Sequence, residues 1–190
     1  MSISKKPPKL ISLITLIIII FVLSAVSNQF NDIGQKTSSI NPGYYTVDRF
    51  VDGDTISVNM NGKSEKIRFI GVDTPETHKP NTPVQCYGPA AAAFTKNTIG
   101  KQKVRLEADS LSTNRDKYGR LLRYVYLSDG TNLNAKLIQT GNGFYYPYFQ
   151  FEKKEEFAKL QNQAKSGNKG LWGNCAPTQN SRGGYTSNPM

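Results

Sequence analysis

The apolar positions of this chain change their spacing along its length. From Leu10 to Val26 they form a nearly unbroken run, LISLITLIIIIFVLSAV, behind Lys5, Lys6 and Lys9. A positive stretch followed by residues apolar all round a helix predicts an export segment, since a core helix would carry a polar face. The 17-residue run exceeds the usual signal-peptide core and just reaches a short membrane span, and Ala25-Val26-Ser27 offers a small-residue cleavage site. Residues 1–27 therefore read either as a cleaved signal peptide or as an uncleaved anchor. In both cases the lysines stay inside and the rest is exported. Residues 28–42 are polar and aperiodic, a linker.

Beyond the linker, β-branched and aromatic residues predict strands over Tyr45–Val51, Thr55–Met60 and Glu65–Val72, with Asn61-Gly62 as a hairpin turn. Gly88-Pro89 opens a helix through AAAAFTKNTI. Two more strands follow, Lys103–Asp109 and Leu121–Leu127. Asn132 can cap a helix holding Leu133, Leu137 and Ile138, stopped at Gly141. The stripe Phe157, Leu160 and Ala164 predicts a last helix ending at Gly167. The body is 43–176, and residues 177–190, rich in Ser, Gly, Asn and Pro, read as a disordered tail. Five strands with a helix after the third predict a β-rich α+β fold. The pattern is that of an OB-fold, a five-stranded barrel with about three helices, preceded by the N-terminal apolar helix.

Composition narrows the chemistry. Lys and Arg number 24 against 14 Asp and Glu in 190 residues, and setting aside the three leader lysines still leaves 21 against 14. That field suits a polyanion such as nucleic acid, or an anionic membrane surface. One His and two Cys exclude a zinc site of several His and Cys and a two-histidine phosphodiesterase. His78, in a Pro- and Asn-containing loop, reads as a solvated surface residue.

Asp52-Gly53-Asp54 lies between two predicted strands, and Asp73-Thr74-Pro75-Glu76 follows the third. A tight hairpin between strands two and three brings Asp54 near Asp73. Two carboxylates without a nearby His or thiolate form a hard oxygen site suited to Ca2+ or Mg2+. Pro75 holds Thr74 extended, which can turn its carbonyl to the same site. The plainer alternative is a turn at Asp52–Asp54 and a cap at Asp73. An EF-hand is excluded because Ile56 occupies a ligand position. Arg68, between Ile67 and Phe69, must be paired or face a polar cavity; it can grip phosphate or form a structural pair with Asp73. Arg120 follows Asp116-Lys117-Tyr118-Gly119 at a turn, where a planar guanidinium can donate two parallel hydrogen bonds to phosphate. The aromatic run 143–151 offers Tyr145, Tyr146 and Tyr148 for stacking on bases, with core packing as the alternative. Cys86 and Cys175 form an even pair in an exported chain, so they read as a disulfide or as two free thiols.

Val51-Asp52-Gly53-Asp54-Thr55, Arg68, Gly71-Val72-Asp73-Thr74-Pro75-Glu76-Thr77 and Asp116-Lys117-Tyr118-Gly119-Arg120 resemble the thermonuclease (staphylococcal nuclease, SNase-domain) family in order and spacing, as does Gly170-Leu171-Trp172-Gly173 near its end. The resemblance covers about residues 43–173. It implies a Ca2+-dependent endonuclease acting on DNA and RNA, with single-stranded or unpaired regions preferred, leaving 3′-phosphate ends, and a monomer needing no protein partner. Asp54, Asp73 and the Thr74 carbonyl match the family's metal ligands, with Asp52 behind them. Glu76 matches the residue that activates or positions water, and Arg68 and Arg120 match the arginines on the scissile phosphate. Lys117 and Tyr118 match nucleotide contacts. Two positions depart from the family pattern. Gly88-Pro89-Ala90-Ala91 stands for Gly-Pro-Glu-Ala, and Gln139 replaces an arginine that would pair with Glu107. A non-catalytic nucleic-acid-binding module and a surface Ca2+-binding adhesin are the competing classes. Binding alone would not require all five of Asp54, Asp73, Glu76, Arg68 and Arg120.

Overall fold

Alternating side chains build the strands, and the turns between them decide where the strands stop. The computed structural model describes residues 43–190 except Lys79; the leader and linker readings lie outside the described residues. In chain order the elements are β1 (Tyr44–Asp52), β2 (Thr55–Met60), β3 (Lys63–Phe69), β4 (Val72–Asp73), α1 (Gly88–Ile99), β5 (Val104–Glu107), β6 (Leu121–Tyr126), α2 (Leu133–Gln139), β7 (Phe144–Tyr145), α3 (Lys154–Ser166), α4 (Leu171–Asn174), β8 (Thr178–Gln179) and β9 (Tyr185–Thr186). Five strands close a barrel in the order β1-β2-β3-β6-β5, with β3 and β6 parallel. The expected OB-fold is present, with three longer helices and the single turn of α4.

Asn61 and Gly62 both take positive φ, as a two-residue hairpin turn demands. The turn sets the β2–β3 register, pairing Thr55 with Arg68 and Met60 with Lys63. Inward positions of the strands, including Ile56, Val58, Ile67, Phe69, Leu106 and Val125, are buried, and Leu133, Leu137 and Ile138 of α2 and Phe157 of α3 join the same core. The Asn132 side chain accepts a hydrogen bond from the Ala135 amide at 3.0 Å, the expected cap. Buried Asn134 joins three elements: its Oδ1 accepts from the Val125 amide and its Nδ2 donates to the Ile70 carbonyl, each at 2.9 Å.

The third strand is shorter than the apolar pattern suggests. It ends at Phe69, because Gly71 takes φ +71° and turns the backbone out of the barrel. Val72 and Asp73 then pair with Tyr145 and Phe144 in a separate two-stranded sheet. The fifth strand also stops early, because the Asp109 carboxylate is engaged by the Leu111 and Ser112 amides and the Tyr124 hydroxyl.

Residues 177–190 do not form the loose tail expected from their composition. Thr178 and Gln179 pair with Thr186 and Tyr185, and the Tyr185 ring stacks on Phe144 at 6.0 Å while Trp172 meets it edge-on at 4.9 Å. Past the hairpin, the Cys86 amide donates to the Asn188 carbonyl at 2.8 Å and the Met190 amide to the Val84 carbonyl at 2.9 Å. A polar composition weakens the drive to fold, but one large aromatic and a row of backbone bonds supply it here.

Cys86 and Cys175 are joined in a disulfide with Cα atoms 6.0 Å apart, across 89 residues of chain. Thiol titration of the denatured protein is therefore expected to find no free thiol, and two would contradict the bridge. A loop of this length stabilises by about 4–5 kcal/mol in the chain-entropy description, so reduction should lower the urea midpoint with the native fold otherwise retained.

Candidate active site

The β2–β3 hairpin and the turn at Gly71 direct one end of the barrel to a single cluster. The Phe69 amide donates to the Asp54 carbonyl at 2.9 Å, which places the start of β2 beside the end of β3. Asp54, 7% exposed, is held on both oxygens. Its Oδ1 accepts from the Thr55 hydroxyl at 2.9 Å, and its Oδ2 accepts from the Thr74 amide at 2.8 Å and the Thr74 hydroxyl at 3.1 Å. Arg68 lies between the two aspartates: one guanidinium nitrogen is 2.6 Å from Asp73 Oδ1 and 3.3 Å from Asp54 Oδ2. The other terminal nitrogen donates to the Val72 and Phe69 carbonyls. Phosphate grip and a structural pair with Asp73 were the two readings of Arg68; in this structure the Asp73 pair is formed.

Burial works against the charge on Arg68, but Asp54 and Asp73, with lesser contributions from Tyr146 and Glu76, hold its pKa above the usual arginine value. Glu76 thus belongs to the same electrostatic group. Its backbone is pinned, the amide donating to Gln85 Oε1 at 2.8 Å and the carbonyl accepting from the Gln85 amide at 2.9 Å. Gln85 in turn donates to the Thr186 hydroxyl, so the C-terminal strap supports the Glu76 loop. Asp52 sits behind Asp54 and accepts from the Gly53 amide and the Thr77 hydroxyl. Its carboxyl is raised above the ordinary range by burial and by the neighbouring Asp54 charge.

Arg120 stands apart from this group. Its Nε is 2.6 Å from Asp116 Oδ2 and its amide donates to Asp116 Oδ1, so the turn holds it ready just before Leu121, whose partner in β3 is Ile67. Lys117 and Tyr118 occupy the same turn, and the Tyr118 ring is 71% exposed with Lys117 and Arg120 beside its face at 5.0 and 5.4 Å. Such a ring and two cations form a surface that a nucleotide base and phosphate can meet. Glu107, which lacks the partner that Gln139 would have been as arginine, is paired by Arg105 at 2.8 Å.

Among the three tyrosines of the aromatic run, Tyr146 faces the cluster, with the Arg68 guanidinium 5.9 Å from its ring centre. Its hydroxyl pKa is raised by burial and by Asp73. Tyr145 is taken into the fold through its pairing with Val72 and its ring contact with Phe151. The sequence does not separate Tyr146 from Tyr145 and Tyr148, and it gives no signal for Gln85 or for Thr95, whose hydroxyl donates to the Gly53 carbonyl. Thr77 carries a signal as the last residue of the Gly71–Thr77 motif.

The donor set fits a hard divalent cation. Asp54 and Asp73 pair with the Arg68 guanidinium, Glu76 acts on it electrostatically and Asp52 acts on Asp54, an acidic site on a chain of net charge +10. Among the described residues no three His, Cys, Asp or Glu side chains converge on one point. A cation held by Asp54 and Asp73 would complete its shell with the Thr74 carbonyl and water, as cations that take six to eight oxygens allow.

A family model described as staphylococcal nuclease homologue matches residues 66–174. The chain is 46% identical over 140 residues to a thermonuclease of Staphylococcus hyicus, a match covering 72% of this chain and 80% of that one. It is 41% identical over 163 residues to a thermonuclease of Staphylococcus intermedius, covering 84% and 94%. Endonuclease YncB of Bacillus subtilis (strain 168) is 36% identical over 170 residues, covering 85% of this chain and 76% of that one. With this barrel and this rim, the chain is an OB-fold nuclease, an enzyme acting on nucleic acids. Within that class it belongs to the staphylococcal nuclease family.

Proposed function

We propose that this nuclease is a Ca2+-dependent endonuclease, exported from the cell, that hydrolyses phosphodiester bonds of DNA and RNA to leave 3′-phosphate ends. The observation that carries the reading is the convergence of Asp54 and Asp73 on Arg68, with Thr74 bonded to Asp54 and Glu76 in the same electrostatic group. Ca2+ would supply positive charge that polarises the phosphate oxygens. Asp54, Asp73 and the Thr74 carbonyl would hold it, with Asp52 behind Asp54. Arg68 and Arg120 donate to the non-bridging oxygens as the phosphorus becomes five-coordinate and its negative charge grows. Glu76 accepts a proton from the attacking water or aligns it. The water oxygen bonds to phosphorus, the bond to the 5′ oxygen breaks, that oxygen takes a proton, and the phosphate stays on the 3′ oxygen. Tyr118 and Lys117 hold the adjoining nucleotide. Unpaired strands suit an open site walled by tyrosines, and the working unit is a monomer.

Export rests on the leader, with Lys5, Lys6 and Lys9 ahead of the apolar run 10–26, and the Cys86–Cys175 bridge supports an oxidising compartment. The enzyme is released after cleavage near Ala25–Ser27 or held at the outer membrane face through residues 10–26.

Incubation of purified protein with single-stranded DNA in Ca2+ or in chelator tests the reading. Cleavage with Ca2+ and none with chelator is expected; binding without cleavage in Ca2+ would make the chain a nucleic-acid-binding module. Arg120→Ala should lower turnover at least tenfold with the fold intact, since a lost charge-stabilising donor costs a few kcal/mol. Steady-state kinetics beside a circular dichroism melt check this, and near-normal turnover would remove Arg120 from the site.

A further inference from the structure

The C-terminal hairpin lies beyond residues 66–174, the span matched by the family model, yet it reaches the wall of the active site. Its turn is docked on Tyr148. The Asn180 side chain donates to the Tyr148 hydroxyl and also accepts from the Arg182 and Gly184 amides, which fixes the turn. Gly184 lies so close to the Tyr148 ring that a side chain there would collide with it.

This docking carries Arg182 to a defined place. Its guanidinium lies 4.7 Å from the Tyr148 ring centre, and Tyr148 meets Tyr146 edge-on at 4.6 Å. Tyr146 in turn faces Arg68, and the charges of Arg68 and Arg182 both act on its hydroxyl. Arg182 is exposed, and among the described residues no carboxylate pairs with it. A guanidinium resting on a ring face keeps its N–H donors free for an oxyanion.

We propose that Arg182 is a phosphate-binding residue of the substrate site, gripping the nucleic-acid backbone on the side of the scissile position walled by Tyr146 and Tyr148. The inference rests on the nuclease reading and adds a contact from outside the matched span. A strand crossing the two tyrosines from Arg68 brings a neighbouring phosphate to Arg182. The contact is to backbone, so it serves every sequence alike.

Binding of a labelled single-stranded oligodeoxynucleotide, followed by fluorescence anisotropy in chelator across a salt series, tests the proposal. Each single-strand phosphate contact contributes about 0.7 to the slope of log affinity against log salt. Arg182→Gln should flatten the slope by about that amount and weaken binding about 3- to 10-fold at low salt. Arg182→Lys, which keeps the charge, should retain the wild-type slope. In Ca2+, Arg182→Gln should show a raised KM for the same oligonucleotide. An unchanged slope and KM in Arg182→Gln, with only a lowered melting temperature, would make Arg182 a structural cap on Tyr148 and overturn the subsite while leaving the nuclease reading intact. A flattened slope in a chain whose wild type does not cleave would overturn the nuclease reading and keep the contact.

Discussion

Asp54→Asn is expected to lose Ca2+-stimulated cleavage by at least a hundredfold while remaining folded. Asp54 is the most enclosed of the site's carboxylates, bonded by the Thr55 hydroxyl and by both the amide and hydroxyl of Thr74, and charge-paired with Arg68. Asparagine retains an acceptor oxygen for the Thr74 amide, so the loop that carries Asp73 keeps its anchor. It removes the negative charge that a hard cation requires, and the several kcal/mol that such a cation contributes to the transition state correspond to about two to three powers of ten in rate. Asp54→Ala should lose as much activity and also melt lower, because the buried Thr74 amide is left without its partner at a cost of about 1–3 kcal/mol. Initial rates across a Ca2+ titration, set beside thermal melts of both variants, separate the two effects. An Asp54→Asn enzyme with the wild-type Ca2+ response would remove Asp54 from the cation site.

Gly170→Ala should be a strongly damaging single-methyl change to stability, with a loss of about 2–5 kcal/mol. Gly170 precedes α4 at φ 53°, ψ −122°, a region that side chains avoid. A Cβ there would lie 2.3 Å from the Gly141 carbonyl oxygen and 2.8 Å from that of Thr140. These are backbone atoms, and the Gly141 carbonyl already accepts from the Leu171 amide at 2.8 Å, so the neighbour cannot rotate away as a side chain would. Strain and overpacking therefore add. Urea denaturation should show the midpoint falling by about 1 M or more at an ordinary slope. Gly62→Ala, at φ +84° with open space around it, carries only the conformational cost of about 1–2 kcal/mol and serves as the comparison. Equal losses in the two variants would show that the contact with Gly141 contributes nothing.

Much of the site was legible because it is held by short-range devices. Asn61-Gly62 closes a two-residue turn, so the neighbour of Asp54 across the hairpin can be counted from the sequence, and Phe69 lies where that count places it, whereas Thr74 meets Asp54 only after the chain turns at Gly71. Asp116 and Arg120 sit four residues apart and pair within their own turn, so that motif, too, is local. The choice among Tyr145, Tyr146 and Tyr148 was not legible. It depends on which residue of the run pairs with β4, and β4 exists only because Gly71 breaks the third strand. The C-terminal hairpin was misread for the same kind of reason: composition reports average polarity, whereas Tyr185 finds Phe144 and Trp172 from a distant part of the chain.

By itself the sequence determined the barrel strands, the three longer helices and the acidic motifs that end at Glu76, because periodicity, turn chemistry and capping act within a few residues. Tertiary structure alone decided that Arg68 joins both aspartates, that Gln85 ties the Glu76 loop to the C-terminal strap, and that Arg182 meets the tyrosine wall. Some of those contacts join residues remote in the chain, as Gln85 to Thr186 and Arg182 to Tyr148, and all of them depend on how barrel, loops and hairpin pack, which no local pattern encodes.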